Sequence, residues 1–342
     1  MKFNSNDILV SKVTKSKLKT FYIGFDLGLC QTSQFAEILM DTLVDFAFGY
    51  HSGILKSYNR RILKEAAKAL YNVKEFKEVK WTYVDEDSML DDDELDAKNK
   101  YLKRGEFGEL ILHLILRDYF NTVPLLSKIF FKDSDGVTVH GFDSIHIGSD
   151  LIDSKKSSIF LGESKLYYRK TGKAGEFGIN DLVNDIKEHF NRDFLQRECI
   201  LISKKKNAFP LLDSYEDMNT KEEFTNYLKQ KDYWIDILEK VGSGTHKIQD
   251  FIDSVTIPLI CTYESEIFKK FTDDTHPDFE KTYDEEMENL RKILDDKLNN
   301  IPAEKGEIVK SNLNIVLILF PIPSKKDLVK LLHQKLYNQQ NA

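Results

Sequence analysis

Two carboxylates and an amine stand close enough along the chain to share one reaction centre. The segment HGFDSIHI carries Asp143, and twenty residues later FLGESKLYY carries Glu163 and Lys165. Residues i and i+2 of a strand share a face, so Glu163 and Lys165 point the same way and Ser164 the other. If the two segments are antiparallel neighbours, Asp143 stands opposite Glu163, and two carboxylates and an ammonium form one patch. Like charges inside an apolar sheet need a cation or a raised pKa. Mg²⁺ (or Mn²⁺) meets that need, because it takes one or two carboxylates and completes its shell with water and substrate phosphate. Lys165 then faces the attacking water or the scissile phosphate, where an ammonium stabilises developing negative charge.

A lone D…E-x-K pattern is common on solvent-facing strands. Here it is joined by glycines directly before Phe142 and Glu163, by the apolar setting IFLGESK, and by a polar stripe on the preceding helix. Glycine at such places allows a close backbone approach, as on a ligand-contacting strand. In GEFGELILHLILRDYF, Glu106, Glu109, His113 and Arg117 fall on one line at helical spacing, opposite Phe107, Leu110, Ile111, Leu114 and Ile115. A polar line on an apolar helix needs partners. Either Glu109 or Glu106 can complete the ligand set or orient a metal-bound water, and Arg104 can approach a phosphate.

Those residues need a sheet to hold them. From residue 105 the pattern reads helix, three strands, helix, then a strand in ECILISKK; a sheet flanked by helices is the natural solution. TFYIGFDL reads as a strand and QFAEILMDTLVDFAFGY and NRRILKEAAKALYNV as helices, a small N-terminal α/β domain over residues 1–83 with a docking or regulatory role. The acidic stretch 84–100 reads as a solvated linker. Residues 101–342 form the larger domain, with a helical insertion at about 210–250 whose aromatics, Tyr227, Tyr233 and Trp234 among them, pack a cap. NIVLILFPIP reads as a central strand buried on both faces, followed by a final helix.

The order helical Glu, then G-F-D, then G-E-S-K resembles the active site of the PD-(D/E)XK nuclease superfamily over residues 104–168. More specifically, RGEFGELILHLIL, HGFDSIHI, FLGESKLYY and VLILFPIPSKKDLVKLLHQKL are similar to the HamA family, effector nucleases of Hachiman anti-phage defence systems, over most of the chain. The resemblance implies an α/β fold, a restriction-endonuclease-like core with a central mixed sheet flanked by helices. It implies Asp143 and Glu163 as metal ligands, Lys165 as the catalytic lysine, and a helical glutamate, Glu109 or Glu106, in support. The proline of the superfamily's name is absent, with Phe142 in its place. The implied substrate is DNA, and the implied partner a helicase subunit, HamB, that holds the nuclease in check. No G-x-x-x-x-G-K-[ST] phosphate loop occurs in the sequence, so ATP-driven motion belongs to another chain.

Composition narrows the alternatives. A formal charge of -7 over 342 residues excludes coating of nucleic acid by bulk charge, so any contact is local. The segment YYRKTGKAGEFG offers Arg169, Lys170 and Lys173 for a phosphate backbone, with a solvated loop as the equal alternative; the run SKKK at 203–206 is similarly open. His113, His140 and His146 match no metal-ligand spacing and read as ordinary polar positions. Cys30, Cys199 and Cys261 are too scattered for structural zinc and read as reduced core thiols. No apolar run suits a signal peptide or a membrane span, which makes the cytoplasm the default location. The competing reading is a catalytically inactive DNA-end or partner-binding module of the same fold, and RNA stands as an alternative substrate.

Overall fold

The computed structural model describes residues 5–15, 17–48, 63–68, 106–126, 141–151, 153, 155–169, 172–204, 218–303 and 305–341. The stretch 84–100, most of 59–73, Arg104, His140, Lys170, Lys205, Lys206 and the side chain of Glu106 lie outside the described residues.

The described chain opens with β1 (Leu9–Lys15) and β2 (Leu18–Ile23), then a hairpin of β3 (Phe25–Asp26) and β4 (Leu29–Cys30), and α1 (Thr32–Asp41) and α2 (Leu43–Phe48). Next come α3 (Glu106–Asp118), β5 (Val123–Pro124), β6 (Ser144–Ser149), β7 (Ser157–Tyr167), α4 (Ala174–His189), α5 (Arg192–Lys204), α6 (Met218–Gly242) and α7 (Ile248–Ile252). β8 (Val255–Glu264), α8 (Ile267–Lys270), α9 (Pro277–Asn299), β9 (Ile315–Ile322) and α10 (Lys325–Asn341) complete it. Seven strands make one mixed sheet in the order β1-β2-β9-β8-β7-β6-β5. β2, β9, β8 and β7 are parallel, whereas β1, β6 and β5 pair antiparallel with their neighbours.

Every residue of β9 is buried, as a strand apolar on both faces must be when helices cover both sides. Alternation then sorts its side chains. Ile315, Leu317 and Leu319, with Leu259 and Cys261 of β8, enter a core with α4, α5, α6 and α9. Val316, Ile318 and Phe320 enter a second core with α1, α2, α3 and α10. Tyr227 and Trp234 of α6 pack as a cap: the Tyr227 hydroxyl donates to the Pro124 carbonyl at 3.2 Å and the Trp234 indole to Ser157 Oγ at 2.9 Å.

Two expectations are corrected. Residues 198–204 of ECILISKK are not a strand; they lie in α5, where Leu195, Cys199 and Ile202 are buried at helical spacing. The short apolar run Cys199–Ile202 imitated a strand, but the burial repeats every three to four residues. Ser203 and Lys204 accordingly close a helix. The strand expected over 137–147 is described only from Ser144, so Asp143 stands at a bend just before β6. An additional strand, β1, pairs with β2. Through the register Leu18↔Leu317 to Thr20↔Leu319, β2 adds to β9, so the described N-terminal strands share the sheet that carries β7.

Candidate active site

The antiparallel register Ser144↔Gly162 sets the site. At the bend one residue before Ser144, the Asp143 amide donates to the Gly162 carbonyl at 2.9 Å, which sets Asp143 beside the Gly162–Ser164 stretch of β7. Asp143 Oδ2 accepts from the Ser164 amide and the Ser164 hydroxyl, both at 2.8 Å. A carboxylate taking two donors on one oxygen is fixed in direction. Ser164 was not singled out by sequence reasoning, which used it only to mark the opposite face.

On the Glu163 face lies α4. His189 Nδ1 meets Glu163 Oε1 at 2.7 Å, Lys165 Nζ meets Asp185 Oδ2 at 2.6 Å, and the Tyr167 hydroxyl donates to Asp181 Oδ2. These pairs form a ladder with a simple cause. Four helical residues rise about 6 Å and two strand residues about 6.6 Å. A helix antiparallel to a strand therefore matches positions 181, 185 and 189 to positions 167, 165 and 163. The spacing D-x-x-x-D-x-x-x-H in α4 was legible, but its opposition to G-E-S-K-L-Y needed the crossover between β7 and α4. The far end of α4 is tied by Lys310, whose ammonium donates to the Phe190 carbonyl, and β7 is tied by the Lys325 ammonium, which donates to the Leu166 carbonyl at 2.7 Å.

Electrostatics follow from this packing. Burial opposes the Lys165 charge, yet Asp185 above all, with Asp143 and Glu163, outweighs it and holds the lysine pKa above its ordinary value. Burial raises the Asp185 carboxyl to about 6, against the pull of Lys165 and with Asp143 and Asp181 adding to the rise. Burial also lowers the His189 pKa in spite of Asp143 and Glu188. A carboxylate only accepts, so Nδ1 of the neutral ring carries the proton toward Glu163. The His189 ring is stacked on Phe194 at 4.7 Å and 17°.

Glu109 is buried, on the other side of the sheet from this ladder. A side chain on Gly108 would meet Ser164 Oγ and Leu166, and one on Gly162 would meet Leu112, so α3 runs antiparallel to β7. His113 Nδ1 lies 3.2 Å from His146 Nε2, and Glu109, one turn earlier, comes level with the start of β6 beside Asp143. The polar line of α3 thus faces inward: Arg117 pairs with Asp45 of α2 at 3.2 Å and with Asp118 at 2.7 Å. The two glycines serve packing. A Cβ at Gly141 would stand 2.7 Å from the Glu198 side chain, and one at Gly162 2.9 Å from Leu112.

The basic residues divide. The Arg169 guanidinium lies over the Phe177 ring at 4.7 Å and the Tyr167 ring at 5.7 Å, beside the ladder. Lys173 starts α4 in the left-handed region at φ 63° and makes an exposed 3.6 Å pair with Glu176. Among the described residues, no three His, Cys, Asp or Glu side chains gather as a cation cage. What the residues offer is the strand carboxylate of Glu163 and the bend carboxylate of Asp143, oxygen donors that fit a hard cation keeping part of its water shell.

A family model described as HamA matches residues 1–336. The chain belongs to the HamA family. HamA membership makes it a component of a Hachiman antiviral defence system, and so a protein with a partner. No curated protein matches the sequence. Among the described residues of this HamA member, no helix is long and apolar enough to cross a membrane.

Proposed function

We propose that this HamA-family chain is a Mg²⁺- or Mn²⁺-dependent nuclease of the PD-(D/E)XK type, hydrolysing DNA phosphodiesters in the cytoplasm as the effector of its system, with the helicase HamB as the partner that controls it. The observation that carries the reading is the anchoring of Asp143 to the residues on either side of Glu163, its amide on Gly162 and its carboxylate on Ser164, with Lys165 two residues on from Glu163 in β7. Asp143 and Glu163 would hold the cation, which when bound supplies a Lewis acid and lowers the pKa of water. Ser164 and His189 orient the two carboxylates. Lys165, kept charged by Asp185, stabilises negative charge on the phosphate. Glu109, with Glu106 as the alternative, supports the site from α3. Arg169, with Lys170, Lys173 and Arg104, contacts the nucleic-acid backbone. The N-terminal residues 1–83 are assigned to docking or regulation.

One observation favours a second reading, a module that binds DNA ends or the partner without cutting: Asp143, Glu163 and Lys165 each already engage a protein group. The test is cleavage of linear and supercoiled plasmid with Mg²⁺, Mn²⁺ or EDTA, alone and with the helicase partner and ATP. Metal-dependent cutting that is lost in Glu163→Gln establishes the nuclease. An inert wild type under all these conditions leaves the binding module as the better reading.

A further inference from the structure

Asp181 and Asp185 in the ladder between β7 and α4, with buried Glu163 and neighbouring Asp143, concentrate negative charge there, and the chain as a whole carries a formal charge of -7. A phosphodiester strand is a polyanion. Without fixed cations at the mouth of such a site, its approach is opposed before any cation between the carboxylates can attract it. Arg169 supplies one cation at the Tyr167 end of the ladder.

The opposite end has an equivalent arrangement on different elements. Phe194, in the first turn of α5, stacks on His189, and the Arg197 guanidinium lies over the Phe194 ring at 5.0 Å. His189 in turn meets Glu163. The Arg197 side chain is 61 % exposed, and its one ion pair among the described residues, with Glu198, is 3.3 Å long and uses one of five N–H donors. Phe194 and Arg197 are i and i+3 in α5, so helical spacing brings the guanidinium to the ring that packs on His189. Each guanidinium rests on a phenylalanine, Phe177 for Arg169 and Phe194 for Arg197. Stacking restricts the long side chain in advance, so less entropy is lost when its donors close on an anion.

We propose that Arg197, held on Phe194, is a phosphate-binding residue that grips the nucleic-acid strand on the His189 side of Glu163, while Arg169, held on Phe177, grips it on the Tyr167 side. From Glu163 to Tyr167 is four strand residues, about 13 Å, and the two guanidinium groups stand beyond those ends. They bracket the reactive groups and fix a strand along β7 and α4, with Lys165 between them. Phe194 serves as the platform for the guanidinium, its ring being already in contact with both His189 and Arg197. The assignment rests on the nuclease reading for its substrate, but not on catalysis or on metal for its test.

That test is binding of fluorescent single-stranded and duplex DNA to the full chain in EDTA, across a salt series. Arg197→Ala should weaken binding about five- to tenfold and flatten the log–log salt dependence by roughly 0.7 to 0.9, one phosphate contact's worth. Arg197→Lys should keep the salt slope and recover part of the affinity, since the charge stays and the stacked fork is lost. Phe194→Leu should weaken binding with the slope unchanged. An Arg197→Ala protein that melts like wild type and binds with wild-type affinity and slope overturns the assignment while leaving the nuclease reading in place. A wild type that binds neither DNA overturns both.

Discussion

At the scale of single residues, each reactive side chain has one protein group that sets its direction. Asp185 is the counter-charge of Lys165 at 2.6 Å, and burial keeps that pair out of competing water. Asp185→Ala should therefore lower cleavage about ten- to a hundredfold through misplacement of the ammonium, and Asp185→Glu should restore part of it. A rate for Asp185→Ala equal to wild type would remove Asp185 from the site. Lys165→Ala should cost more, of the order of a hundred- to a thousandfold, as expected when a charge is removed from the transition state. Plasmid nicking under single-turnover conditions measures both. Asp143, Glu163 and Lys165 were legible in the sequence, because their types and the i, i+2 spacing are local properties. Ser164, Asp185 and His189 were not, since a helix residue becomes a strand residue's partner only when the chain crosses over the sheet.

At the scale of elements, α3 is joined to β5 and β6 by a buried chain in which His113 meets His146 and His146 Nδ1 meets Thr122 Oγ1 at 2.9 Å. Burial lowers the His146 pKa to about 3 and lowers that of His113 as well. Both depressed groups are bases, so the unfolded chain binds more protons below about pH 6.5, in the case of His146 down to about pH 3. Stability is complete above pH 6.5 and falls as pH falls, by up to about 1.4 kcal/mol per pH unit for each histidine while it is neutral in the folded state and protonated in the unfolded one. Urea midpoints at pH 7.5 and 5 should show the loss, and His146→Gln should reduce the slope; equal slopes in the two proteins would refute it. The glycines give a second check. Gly162→Ala pushes a methyl against Leu112, Pro258 and Ser144, at an expected cost of about 1 to 3 kcal/mol. Leu112→Ala in the same chain should couple to it favourably, which a double-mutant cycle reads directly. A glycine before a candidate site glutamate invites the idea of ligand approach, yet at Gly162 it is a helix that approaches.

For the whole molecule, the parallel run β2-β9-β8-β7 means that the N-terminal strand completes the sheet whose other side holds the candidate site. β2 covers one edge of β9, and Phe35 of α1 meets Phe320 of β9 edge-on at 5.2 Å. A fragment of residues 101–342 should thus expose the edge of β9 and half of one core, and aggregate or melt far below the full chain. A fragment with the full chain's cooperative melt would show that the two regions fold apart. The sequence by itself determined the motif residues, the buried character of β9 and the long helices α3, α6, α9 and α10, because side-chain period and local spacing carry those signals. It could not determine that residues 198–204 of ECILISKK are helix, that β1 and β2 belong to the same sheet as β7, or that α4 sets Asp185 and His189 against Lys165 and Glu163. Those depend on contacts between residues far apart in the chain, and only the tertiary packing selects among the pairings that local pattern allows.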